Sequence, residues 1–187
     1  MGADAAEKRR WTPKEYLEME RTSVDKHEYF DGEIFLMAGA SPEHNLIVAG
    51  LVSALRGALP GKCLVFPSDQ RLFIPATGLY TYADASVVCG APDFNEDNPR
   101  ALQNPHAIFE VLSEATESYD RGKKFAQYRT IPALKDYVLI AQDQLVVEHY
   151  RLQLGGGWLL REVRQGAVVL DCGELLVESI YQQRLAR

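Results

Sequence analysis

The chain predicts a mixed α/β fold: a mixed β-sheet core flanked by helices, with an N-terminal hairpin and a C-terminal antiparallel β extension. Three observations predict it. Two helix starts carry a capping hydroxyl followed by proline, Thr12-Pro13 and Ser41-Pro42. Short apolar strand-like runs lie between turn residues. Helical and strand segments also alternate along the chain without repeating, which favours one mixed sheet over separate domains.

At Thr12-Pro13-Lys14-Glu15 the glutamate stands three residues after the cap, so a short helix is expected to run from here and end before Ser23. His27 to Phe30 and Glu33 to Met37 flank Asp31-Gly32, which reads as a tight hairpin. The second capped helix, running to Leu59, places Leu46, Ile47, Gly50, Leu51 and Leu55 near one face, and Pro60-Gly61 stops it. Three β runs follow: Cys63–Phe66, Gln70–Ile74 and Leu79–Cys89. Residues 90–105, rich in Pro, Asn and Asp, read as a surface loop. His106–Leu112 reads as a strand, 119–130 as a helix and Asp136–Ile140 as a buried strand. The last stretch, 145–181, alternates β runs with turns at Gly155-Gly156-Gly157 and Asp171-Cys172-Gly173.

With 187 residues, 47% of them hydrophobic and 25% charged, the chain fits a single domain over 11–187 behind a disordered tail, 1–10. A chain of this size buries about 70% of its unfolded surface and needs no metal or disulfide staple to fold. The net charge of −6, from 20 basic and 26 acidic residues, argues against binding nucleic acid through bulk positive charge. The N-terminus shows no apolar signal-peptide core, and no apolar run approaches a membrane span. A cytoplasmic protein without a membrane partner is therefore expected. Cys63, Cys89 and Cys172 have no short CxxC spacing and are expected as reduced, mostly buried thiols. His27, His106 and His149 show no ligand spacing with one another or with the cysteines, which argues against a zinc site. Gly155-Gly156-Gly157 lacks the lysine and helix of a phosphate-binding loop.

Two carboxylates are out of place. Asp84 interrupts Tyr80–Val88 and Glu110 interrupts Ala107–Leu112. A charge in an apolar strand is costly unless it is paired or holds a cation. If the two strands pair, both carboxylates can meet at one edge of the sheet. Hard oxygen ligands of that kind suit Mg2+ or Mn2+, with the Val111 carbonyl as a further protein oxygen. On the next helix Asp120, Lys124 and Tyr128 are four apart and share a face, with Lys123 and Gln127 in a neighbouring row. Arg121, Lys123, Lys124 and Arg129 make this segment locally basic. His44, near the start of the second helix, is a weaker candidate for contact with a phosphate or a water.

The constellation resembles the PD-(D/E)XK nuclease superfamily and, more closely, the Uma-type family of candidate restriction endonucleases. The carriers are Glu28-Tyr29-Phe30-Asp31-Gly32-Glu33, His44, Tyr82-Ala83-Asp84 and Glu110-Val111-Leu112-Ser113. They continue with Asp120, Lys124 and Tyr128 and end at Asp136-Tyr137-Val138-Leu139-Ile140. The resemblance spans about Trp11 to Tyr150 and implies a restriction-endonuclease-like core. It also implies Asp84 and Glu110 as metal ligands and Lys124 as the catalytic lysine, with Glu28 completing the acidic cluster. Leu112 stands where the superfamily usually has its lysine, and Ala83 where the family has proline. The implied activity is Mg2+-dependent (or Mn2+-dependent) hydrolysis of DNA phosphodiester bonds. The alternative is a catalytically impaired nuclease-fold module that binds nucleic acid or a protein partner. A homodimer would pair two sites for cutting both strands, with the C-terminal β extension as an interface.

Overall fold

A computed structural model describes residues 9–37 and 39–183. Residues 1–8 of the expected tail lie outside this description, whereas Arg9 and Arg10 reach Glu15 and Asp31. Helix α1, Pro13–Thr22, opens with the capping box that the sequence predicts. Thr12 Oγ1 accepts from the Glu15 N–H, and the Glu15 carboxylate accepts from the Thr12 N–H at 2.8 Å. A cap of this kind is worth about 1 kcal/mol. Strands β1 (His27–Phe30) and β2 (Glu33–Leu36) form the expected hairpin. Asp31 and Gly32 take φ of 47° and 80°, the left-handed pair that a two-residue turn requires. Helix α2, Pro42–Ala58, is capped by Ser41 and buries Ile47, Leu51 and Leu55.

The strands β3 (Cys63–Pro67), β4 (Arg71–Ile74), β5 (Leu79–Tyr82), β6 (Ala85–Cys89), β7 (Ala101–Leu102) and β8 (Ala107–Val111) follow. The run 79–89, expected as one strand, is two. β5 pairs with β1 and β4, while β6 pairs with β3 and β8. The chain changes sheet at Ala83-Asp84. Within the expected loop, Ala101 and Leu102 form the short β7, parallel to β4 and fully buried.

A continuous helical stretch comprises α3 (Glu117–Tyr119), a π-helical turn (Asp120–Lys124) and α4 (Phe125–Tyr128). The described residues continue with β9 (Asp136–Ile140), β10 (Val147–Leu152), β11 (Trp158–Val163), β12 (Ala167–Leu170), β13 (Gly173–Leu176) and α5 (Val177–Ile180). A central six-stranded sheet runs β11-β10-β9-β8-β6-β3, mixed because β8 and β9 are parallel and its other pairs antiparallel. A second sheet runs β2-β1-β5-β4-β7, and β12-β13 form a separate hairpin.

Alternation along β8 divides the core. Ala107, Phe109 and Val111 join a cluster with Ile47, Leu51 and Leu55 of α2 and with Val177 and Ile180 of α5. Ile108 and Leu112 face Phe125, Tyr128 and the second sheet. Glu110 belongs by parity to that second face. α2 and α5 pack closely enough that a Cβ on Gly50 would overlap the Ile180 carbonyl.

The cysteine expectation is corrected. In the antiparallel β3–β6 pair Cys63 stands opposite Cys89, with Cα atoms 4.1 Å apart, and the two form a disulfide. A separation of 26 residues hides what the register makes adjacent. Cys172 is free.

Candidate active site

The β6–β8 register assembles the acidic pair. Ala85 faces Phe109 at the end of that register, and the residue before it, Asp84, reaches the backbone next to Glu110 through the Val111 N–H. Cross-strand neighbours share a face. Asp84 Oδ2 accepts from the Val111 N–H at 2.7 Å and lies 3.2 Å from His44 Nε2, which α2 delivers from its first turn. Glu110 is 4% exposed, and its Oε1 accepts from the Tyr128 hydroxyl at 2.9 Å.

Lys124 comes from the π-helical turn. Its Nζ lies 2.9 Å from Glu110 Oε1, 3.6 Å from Asp120 Oδ1 and 3.8 Å from Glu28 Oε1. Asp120 and Lys124, at the two ends of the turn, are both buried, while Gly122 between them is exposed. π-helical turns inside helices are often found at functional sites. Glu28, on β1, is buried rather than exposed. It accepts from the Thr81 hydroxyl on one oxygen and from the Tyr119 hydroxyl, at 2.9 Å, on the other.

Three carboxylates (Glu28, Glu110 and Asp120) thus lie within 4 Å of the Lys124 ammonium, and the charge of Asp84 acts on Glu110 and Asp120. Burial raises the Glu110 carboxyl well above the usual range, and Asp120 and Asp84 push it the same way. Burial also raises Asp120, with Asp84 adding to it. Burial opposes the charge on Lys124, but Glu110, Asp120 and Glu28 outweigh it and hold the ammonium well above the lysine range. All three groups shift toward retaining a proton, so the cluster is short of positive charge.

The expected residues Asp84, Glu110, Lys124 and Glu28 therefore converge, and His44 joins them. Val111 contributes its N–H to Asp84. The basic segment is partly committed elsewhere, since Arg121 binds Glu148 at 2.7 Å and Glu117 at 3.0 Å. Tyr82 does not enter the cluster. Its hydroxyl donates to Glu20 and accepts from Arg71, which ties α1 to the second sheet. Sequence reasoning missed Thr81 and Tyr119, the partners of Glu28. The only signal for them was their adjacency to the motif residues.

A family model described as "Putative restriction endonuclease", Uma2, matches residues 13–180. The chain belongs to the Uma2 family. Two uncharacterized Synechocystis sp. proteins are similar to it. One is 39% identical over 153 residues, covering 81% of this chain and 86% of the relative. The other is 37% identical over 150 residues, covering 80% and 78%. A crystal structure described as a "putative nuclease belonging to DUF820", from Anabaena variabilis, aligns with a TM-score of 0.71 at 17% identity, covering 90% of this chain and 96% of that one. At that identity the likeness is one of fold, and the fold is nuclease-like.

The donors of this Uma2 chain fit a hard divalent cation. Asp84 and Glu110 offer oxygen only, and Asp84 Oδ1 and Glu110 Oε2 stand outside the hydrogen bonds described above. Among the described residues no three carboxylate or imidazole ligand atoms lie within 4.8 Å of one another.

Proposed function

We propose that this protein is a divalent-metal-dependent endonuclease that hydrolyses DNA phosphodiester bonds. The observation that carries the reading is that Asp84, bonded to the Val111 N–H at 2.7 Å, comes beside Glu110, whose Oε1 lies 2.9 Å from Lys124 Nζ. Asp84 and Glu110 would hold the ion, with the Val111 carbonyl as a further oxygen. A bound Mg2+ or Mn2+ supplies Lewis acidity and lowers the pKa of a coordinated water.

Lys124 stabilises negative charge on the phosphoryl oxygens as it develops, the role a fixed ammonium serves best in a water-poor site. Glu28 and Asp120 hold that ammonium in place. Tyr128 fixes one oxygen of Glu110, which would leave its other oxygen for an ion. His44 and the Val111 N–H orient Asp84 in the same way. A homodimer belongs to this reading. The exposed Leu159 and Leu160 on the sheet-edge strand β11 support it, and sedimentation tests it.

The decisive experiment combines plasmid cleavage with thermal unfolding. Mg2+ or Mn2+ should raise Tm, by about 2.7 kcal/mol of stabilisation at a hundredfold excess over Kd. Asp84→Asn and Glu110→Gln should each remove both that shift and the cleavage. Lys124→Met should lose cleavage yet retain a metal-induced shift. Cleavage that persists in chelator would overturn the reading. DNA binding by the unmodified protein without cleavage under any metal would replace it with the impaired-module alternative.

A further inference from the structure

The three cysteines of the chain come from distant positions: Cys63 on β3, Cys89 on β6 and Cys172 in the β12–β13 turn. All three sulfurs nevertheless lie within 4.8 Å of one another. The β3–β6 register accounts for Cys63 and Cys89 but brings Cys172 to neither. Cys172 is placed by the β12–β13 turn, which packs against the end of α2. There a Cβ on Gly173 would sit 3.0 Å from Leu59 Cδ2.

We propose that, once the Cys63–Cys89 disulfide is reduced, the three cysteines together bind one soft divalent cation of the zinc class. Thiolates at about 2.3 Å from a tetrahedral zinc stand roughly 3.8 Å apart; the Cys172 sulfur lies within 4.8 Å of both others, and breaking the disulfide lets that pair spread to the same spacing. The fourth position is left to water or an outside ligand.

The surroundings suit a cation that prefers sulfur. All three side chains are half-buried at the edge of the apolar cluster around α2. Cys63 also lines a cleft of ≈ 340 Å³ with Leu55, Leu59, Pro60 and Val65, which gives an ion a path inward. The charged groups that act on Cys172 are Asp136, Asp171 and Arg151. Arg151 and His106 are themselves engaged with Asp171, at 2.9 Å and 3.0 Å. This site is separate from the acidic cleft. Asp84 and Cys89 flank opposite ends of β6, five residues or about 16 Å apart. Oxygen donors at one end suit a hard ion, and sulfur donors at the other suit a soft one.

Opening the site takes two electrons. With a phosphine reductant, the phosphorus attacks one sulfur and the S–S bond breaks. Water then supplies the oxygen of the phosphine oxide, and its two hydrogens end on the two sulfurs. A cellular dithiol gives the same two thiols while closing its own disulfide. Binding then displaces the thiol protons. Because those protons are released, affinity rises with pH across the neutral range.

The test uses the full chain, reduced anaerobically with a phosphine, freed of it and titrated with Cd2+ alone. A thiolate-to-cadmium charge-transfer band should saturate at one ion per chain, and Zn2+ should displace it. Oxidised protein should give no band. Cys172→Ala should weaken binding by more than the roughly 10–100-fold that loss of a ligand's supporting partner costs, with an unchanged circular dichroism spectrum. Cys89→Ser, which keeps a hydroxyl in the strand, should do the same. Asp84→Asn should leave the band intact. The proposal is overturned if reduced protein gives no band, if Cys172→Ala binds as tightly as the parent, or if Asp84→Asn abolishes the signal.

Discussion

Buried charge occurs on both faces of the central sheet, and the two clusters are built differently. On the α2 face, Asp136 is 0% exposed, and each of its oxygens has a partner. His149 Nε2 lies 2.7 Å from Oδ1, and the Asp171 N–H donates to Oδ2 at 2.8 Å. Arg151 stands 4.0 Å away. On the opposite face, three carboxylates, Glu28, Glu110 and Asp120, share Lys124 with Asp84 nearby, and among the described residues neither Asp84 Oδ1 nor Glu110 Oε2 takes part in a hydrogen bond. Burial alone therefore does not mark a functional charge. The mark is an imbalance that the protein leaves for something else to correct.

The largest effect expected from this contrast is for Lys124→Met. Removing this ammonium should cost about 3–5 kcal/mol, read from the urea midpoint. A small loss would mean that the carboxylates are already neutral and need no cation. Asp136→Asn comes next, at about 1–3 kcal/mol, because it disturbs a satisfied network. Metal-dependent cleavage per folded molecule should survive that change. Glu110→Gln should run the other way, gaining about 0.5–2 kcal/mol while cleavage ends, as expected where function is served at the expense of stability. A loss matching that of Asp136→Asn would erase the distinction between the two faces.

The smallest effect concerns Cys172, whose thiol is raised from 9.0 to about 11, first by burial and then by Asp136. Between those values the unfolded chain has released the proton and the folded chain retains it. Stability should therefore fall as pH rises from 9 toward 11 in the parent, and Cys172→Ala should flatten that slope. Chemical unfolding at several pH values reads it directly.

Much of this was legible from local signals. Thr12, Ser41, Pro13, Pro42 and the Asp31-Gly32 pair act on their immediate neighbours, so helix starts and the hairpin were readable. Asp84 and Glu110 stood out because a charge in an apolar run is costly whatever the fold. The four-residue spacing of Asp120, Lys124 and Tyr128 showed a shared helical face. The unread part depends on pairing between distant segments. Nothing local says that 79–89 divides between two sheets, since both halves are β-prone and buried. The Cys63–Cys89 bond follows from the β3–β6 register alone. The convergence of Cys172 and the binding of Thr81 to Glu28 depend on packing between elements that no short window contains.

The change of sheet at Ala83-Asp84 has a consequence for quality control. Side chains alternate between faces, so a slip of one residue in β6 would turn Asp84 away from Glu110. A chain that pairs this strand wrongly loses its ligand pair together with its native core. On the proposed function, misfolded molecules are disarmed by the same error that misfolds them, and only a correctly threaded chain endangers DNA.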